Sequence, residues 1–279
     1  MIINNAMNKI YKISNIILIL FILSLLAQAF DQSFGWGLNK MYPDIYFSTF
    51  GTKTEGWSTL IWFENGIVEI IQIILLFVTI NILLSFFFQK KIFNSQIFKN
   101  FIILEIIGLT YFFLEEISWG QQFFNFETFK IFLNEESILY NHQGETNLHN
   151  TSRLFNEFPR ILVILWCSLS ILIIQYFNLN LKSDLKKIVI PNKKLIFISL
   201  LILLFIIPDL IMSKLNMIDH SKLHIYEDGS FKAFNFSMMF KIILSFNFLR
   251  LSELQELLFS YYFLWHTIFL KDLLLKQSS

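Results

Sequence analysis

WFENGIVEIIQIILLFVTINILLSFFF, residues 62–88, decides the fold class. From Ile67 to Phe88 its only charged residue is Glu69. At 1.5 Å per residue such a run crosses a hydrocarbon core of about 30 Å as a helix. A helix is also the form that satisfies every backbone donor and acceptor within the segment, which the bilayer demands of a lone spanning element. Asn65 and Glu69 lie four residues apart and share a face, and Gln72 continues that face one turn deeper. The span therefore carries a polar stripe.

Working outward, similar runs recur along the chain. ISNIILILFILSLLAQAF, residues 13–30, is a first span. Ala27, Gln28 and Ala29 resemble a signal-peptidase site, but the apolar run before them exceeds an ordinary signal core, so retention as an anchor is the expectation. A third span is expected at about 101–119, a fourth at 161–179, a fifth at 195–212 and a sixth at 254–270. Pro208 and Asp209 interrupt the fifth near its end. Residues 233–249 carry Lys241 in mid-run and read as an interfacial or re-entrant helix, with a seventh span as the alternative. The expected fold is all-α: a polytopic transmembrane bundle of about six spans in one integral membrane domain, residues 1–279, with interfacial helices on the outer side.

Composition agrees. Mean hydropathy is +0.57, 55% of residues are hydrophobic and only 15% are charged, and the apolar residues come in blocks. A net charge of +1 and scattered lysines give no basic stripe for nucleic acid. Cys167 is the sole cysteine, which excludes an intrachain disulfide and a thiolate metal site and leaves it as a small buried hydrophobe.

Orientation follows from the lysines. With the N-terminus in the cytoplasm, Lys9, Lys12, the lysines at 90–99 and at 182–194, Lys271 and Lys276 all fall inside, which gives a bacterial inner-membrane protein with both termini cytoplasmic. The same topology puts Glu64, Glu69, Glu115, Glu116, Asp209, Glu253 and Glu256 at the outer ends of their helices. His142, His149, His220, His224 and the three arginines, Arg153, Arg160 and Arg250, fall on that side too. Carboxylates gathered at a semi-buried site need protons, basic partners or a cation.

The candidate site centres on residues 115–150, from EEISWGQ to NHQGETNLHN. Glu115, Glu116, Gln121 and His149 are the candidate catalytic residues; Glu64, Glu69, Glu116, Glu145 and His149 are the candidate ligands of a divalent metal ion. Between the two motifs, Phe123, Phe124, Phe126, Phe129 and Phe132 read as an amphipathic interfacial helix. Glu105 lies three turns from Glu116 on the same face. His266, within the last span, reads as a core histidine. No nucleotide fingerprint, GxSxG or HExxH pattern or phosphate loop is present.

EEISWGQ and NHQGETNLHN, with ENGIVE at 64–69 and ELQELL at 253–258, resemble a group of bacterial multi-pass membrane proteins in which the upstream motif has Asp where Asn65 stands. The resemblance covers most of the chain and implies shared architecture. A fainter one is to the alkaline ceramidase superfamily of seven-span, metal-dependent lipid amidases, through Ser118, Gln121, Trp62, Glu64, Asn65 and Glu69. Two positions depart from that pattern: Gln121 stands where a histidine is needed, and His266 is alone rather than one of two histidines four apart.

The functional expectation is hydrolysis or group transfer on a lipid or lipid-linked substrate, with a carboxylate-held cation polarising it and Glu116 or Glu115 as acid or base. The alternatives are a proton- or ion-coupled transporter, in which Glu105 would matter, and a membrane scaffold without turnover.

Overall fold

The computed structural model describes residues 2–34, 67–88, 96–124, 126–141, 146–148, 151, 153–169, 192–214 and 251–278. Helix α1 is Ile2–Phe34, α2 is Ile67–Phe87 and α3 is Gln96–Glu116. A 3-10 turn at Ser118–Gly120 leads to the one-turn helices α4 (Gln121–Phe124) and α5 (Lys130–Leu133). Helix α6 (Arg153–Ile164) passes into a π-helical turn at Leu165–Leu169; α7 is Ile196–Lys214, after a 3-10 turn at Lys193–Leu195, and α8 is Leu251–Ser278. No strand occurs among the described residues.

Among them, three helices are long and apolar enough to cross a membrane, over Ala6–Ala27, Ile67–Ser85 and Gln96–Glu116. Their outward faces are apolar, unlike those of a water-soluble bundle. On α2 the buried stripe is Val68, Gln72, Leu76, Thr79 and Leu83, whereas Ile70, Ile74, Phe77 and Val78 face outward. The buried spacing of three and four is helical and takes in Gln72 and Thr79, whereas the outward face is wholly apolar at the four positions named. Helix α1 likewise buries Tyr11, Leu18, Ile22 and Leu25 and exposes Ile10, Ile13, Ile16, Ile17, Leu20 and Leu23. Water rejects such a surface and hydrocarbon accepts it, so the chain fits a helical membrane protein.

The backbone ladder outruns the apolar cores. Helix α1 starts eleven residues before the expected 13–30 segment and continues through Ala27–Ala29. Helix α3 stops at Glu116 rather than 119 because the next residues leave helical space: Ser118 has φ 45°, Trp119 φ 55° and Gly120 φ 89°. The aromatic series at 123–132, expected as one amphipathic helix, includes two single turns, with residues 126–129 in no regular structure before the second; Phe132 is buried and Phe124 and Phe129 are exposed. The Gln121 side chain donates to the Thr128 hydroxyl at 2.7 Å, which folds the segment back on itself. Residues 35–66, 170–191 and 215–250 lie outside the described residues, so the expectations for the 233–249 segment, for His220 and His224 and for most of the fourth span fall there.

The chain divides into two compact units. One comprises Met1–Glu69 with Leu204–Gln255; within it the Gln255 amide donates to the Phe205 carbonyl at 3.3 Å. The other comprises Ile70–Leu203 with Glu256–Ser279. In this second unit α8 is buried on nearly every side from Leu257 to Leu270, the behaviour of a central helix. Trp166 packs on Phe263, His266 and Tyr262, with ring centroids 5.3, 5.1 and 6.2 Å away. His266 is thus buried in an aromatic setting, and Cys167, next to Trp166 in sequence, is buried as well.

The π turn has an identifiable partner. The Ser199 hydroxyl donates to the Cys167 carbonyl at 2.6 Å, and the Ser168 hydroxyl donates to the Ser199 carbonyl at 3.3 Å. A π turn disturbs the i to i−4 ladder, and here α7 satisfies the displaced carbonyl. One turn earlier, Pro159 inside α6 removes the donor that the Phe155 carbonyl would have used. Both irregularities fall on the helix that borders the candidate site.

Candidate functional site: an apolar cavity with a polar rim

The chain reverses at EEISWGQ by an unusual backbone. Left-handed conformation costs a residue with a Cβ on the order of 1–2 kcal/mol, and Ser118 and Trp119 both adopt it before Gly120. Three interactions hold the turn. The Gly120 N–H donates to the Ile117 carbonyl at 2.8 Å. The Trp119 indole N–H donates to Glu115 Oε1 at 2.7 Å, and its ring packs edge-on to Tyr111.

Glu115 has a second engagement far along the chain: its Oε2 accepts the Leu148 backbone N–H at 2.7 Å. Gln121 does the same kind of work, since its Oε1 accepts the Thr146 N–H at 2.7 Å while its amide reaches Thr128. The returning strand of the loop is locked by Asn141, whose side-chain amide donates to Asn147 Oδ1 at 2.8 Å. Two of the four candidate catalytic residues, Glu115 and Gln121, therefore hold the 146–148 segment to the end of α3 through part-buried bonds to a carboxylate and an amide. Glu116 is buried as well, but it lines an open volume.

That volume is a cavity of about 520 Å³ formed within the second unit by α3, α6 with its π turn, and α8. Its wall is layered. At one end lie Glu115 and Glu116 from the last turn of α3, Arg160 from α6 and Glu256 from α8. Arg160 Nη2 donates to Glu256 Oε1 at 2.7 Å, and both side chains are less than a fifth exposed. At the other end lie Phe101, Trp166 and Phe263, with ring centroids 5.8 Å (Phe101 to Trp166) and 5.3 Å (Trp166 to Phe263) apart. Between them the wall is Leu104, Gly108, Leu109, Phe112, Phe155, Leu162, Val163 and Phe259, almost wholly apolar.

The cavity is not sealed: two of its lining residues, Leu104 on α3 and Leu162 on α6, are 66% and 50% exposed. Gly108 borders open space: a Cβ there would meet no heavy atom within 4 Å. Glu105, one turn from Gly108, is 7% exposed; its two carboxyl oxygens are buried, and among the described residues neither has a hydrogen-bond partner.

Of the candidate metal ligands, Glu64, Glu145 and His149 lie outside the described residues, Glu69 belongs to the first unit and Glu116 to the second. Among the described residues no three His, Cys, Asp or Glu side chains group as a metal site would need. Two features of the cavity were not picked out by sequence reasoning. The Arg160–Glu256 pair joins residues 96 apart and left no local pattern. Gly108 did leave one, as a glycine in mid-span, where a residue without a side chain weakens a helix unless space is needed.

No family model, curated protein or solved structure matches the chain.

Proposed function

We propose that the protein handles a lipid or lipid-linked molecule at the outer face of a bacterial cytoplasmic membrane, in a six-span frame with both termini inside. The observation that carries this reading is the layered cavity: an apolar wall open to the side, capped at one end by Glu116 and the Arg160–Glu256 pair. An acyl or isoprenoid chain suits the wall, and a head group suits the rim. Most binding sites share this economy, with an apolar lining and a few polar groups that fix orientation.

In this reading Glu116 accepts the proton of an attacking nucleophile and returns it to the leaving group. Arg160, held in place by Glu256, supplies positive charge toward an anionic group at the rim. Glu115 and Gln121 position the 146–148 loop over the site. Exposed Phe124, Phe129, Ile131 and Ile138 around that loop suit an interfacial surface.

The test is product formation. Purified protein in discs made from total bacterial lipid is incubated, and the lipid pool is profiled by mass spectrometry against Glu116→Gln. The expected result is loss of one lipid class with matching gain of its product in wild type only. An unchanged profile in both proteins, each with an intact thermal transition, removes the catalytic reading. A second reading, proton- or ion-coupled transport, draws its support from Glu105; it predicts gradient-dependent flux in proteoliposomes that Glu105→Gln abolishes.

A further inference from the structure

The end of the cavity opposite the polar rim is closed by aromatic rings. Trp166 stands between Phe101 on α3 and Phe263 on α8, with ring centroids 5.8 and 5.3 Å away. Behind it the rings of His266 and Tyr262 pack edge-on at 5.1 and 6.2 Å; both residues are buried and neither lines the cavity. Trp166 therefore separates the cavity from packed core. Its backbone is fixed as well: it belongs to the π turn Leu165–Leu169, in which the next carbonyl, that of Cys167, accepts the Ser199 hydroxyl at 2.6 Å. An indole held by rings on two helices, on a backbone tied to a third, is a firm stop.

The space in front of that stop suits one hydrocarbon chain. From rim to stop the helices rise about 10 Å on α8, Glu256 to Phe263, and about 22 Å on α3, Glu116 to Phe101. At about 1.2 Å per bond these depths take an extended chain of roughly eight to eighteen carbons. The volume agrees: with about 30 Å³ for a methylene-sized group, a water's share of its liquid, 520 Å³ takes roughly 17 of them. We propose that the cavity takes a single hydrocarbon chain and that Trp166 sets the longest chain it accepts. The proposal rests on the reading that a lipid chain enters the cavity, and adds the number of chains and the residue that limits their length.

Decanol, dodecanol, tetradecanol, hexadecanol and octadecanol compete in an equimolar mixture for wild type, Trp166→Leu and Val163→Phe, and bound species are counted by native mass spectrometry. The detergent is sterol-based, so no alkyl chain of its own competes. Micelles withdraw the longer alcohols equally from all three proteins, and each variant is read as a ratio to wild type. Val163 lines the wall one turn before Trp166, so a ring there shortens the space. The expected result is one long-chain alcohol per wild-type protein. The octadecanol to dodecanol ratio rises at least roughly fourfold in Trp166→Leu, the factor carried by one further buried methylene, and falls by a similar factor in Val163→Phe. Two octadecanol molecules on one wild-type protein, or a Trp166→Leu ratio equal to that of wild type, overturn the proposal while leaving a chain-binding cavity in place. Where Trp166→Leu lacks a cooperative thermal transition, the Val163→Phe ratio decides in the same way. Failure of every alcohol to bind wild type overturns the chain-binding reading and the proposal together.

Discussion

Gly108→Ala is expected to stabilise the protein. Glycine in a helix interior costs about 0.5–1 kcal/mol relative to alanine. A mid-span glycine usually repays that cost by letting another helix approach, in which case a methyl group clashes. Here the added Cβ meets no heavy atom within 4 Å, so the propensity gain has no steric offset. The expected gain of about 0.5–1 kcal/mol corresponds to a rise of about 1–4 °C in the midpoint, readable by thermal unfolding followed through tryptophan fluorescence in detergent. Gly108→Phe places a ring in the same space; it is expected to fold and to exclude any occupant of the cavity. A midpoint that falls in Gly108→Ala would mean that position 108 is packed, and the reasoning from open space would be refuted.

Glu115→Gln leaves one acceptor oxygen for two donors, Trp119 Nε1 and the Leu148 N–H; a loss of about 1–3 kcal/mol is expected, with faster hydrogen exchange at Leu148. Gly120→Ala is expected to cost about 1–2 kcal/mol through its backbone, since φ is 89°. Its contact with Phe124 at 3.1 Å is with a flexible, 81% exposed ring, so adding Phe124→Ala should recover little of that loss. A double-mutant cycle on Arg160→Ala and Glu256→Ala is expected to give a coupling of about 1.5–3 kcal/mol. That coupling should change little with added salt, because the pair is largely shielded from solvent.

The parts of this fold that were legible in the sequence are those a one-dimensional pattern encodes. Within the apolar runs, residues 13–30, 67–87 and 101–116 are helical, because about twenty apolar residues leave few alternatives. Helix ends were not legible where backbone conformation decided them: α3 ends at Ser118 and Trp119 in left-handed space, which neither residue type advertises. The expected span at 161–179 begins earlier, at Arg153, and passes into a π turn at Leu165, whose partner is Ser199 on another helix. Density of polar residues marked 115–150 as important. It could not distinguish chemistry from architecture, since the partners of Glu115 and Gln121 are backbone amides 33 and 25 residues away. The shared face of Glu105 and Glu116 was readable from their spacing, and both line the cavity. The opposite wall comes from α6 and α8, and only tertiary packing brings it there.

The central claim is that a lipid chain enters the cavity, and photolabelling tests it most directly. A phospholipid with a diazirine in its acyl chain is irradiated with the protein in discs, and adducts are mapped by peptide mass spectrometry. Phe259 and Phe263 line the cavity at 2% and 6% exposure and have almost no outer surface for bulk lipid to reach. The account predicts adducts on these two residues that disappear in Gly108→Phe. Adducts confined to outward-facing positions such as Ile97 and Ile107, unchanged in Gly108→Phe, would contradict it.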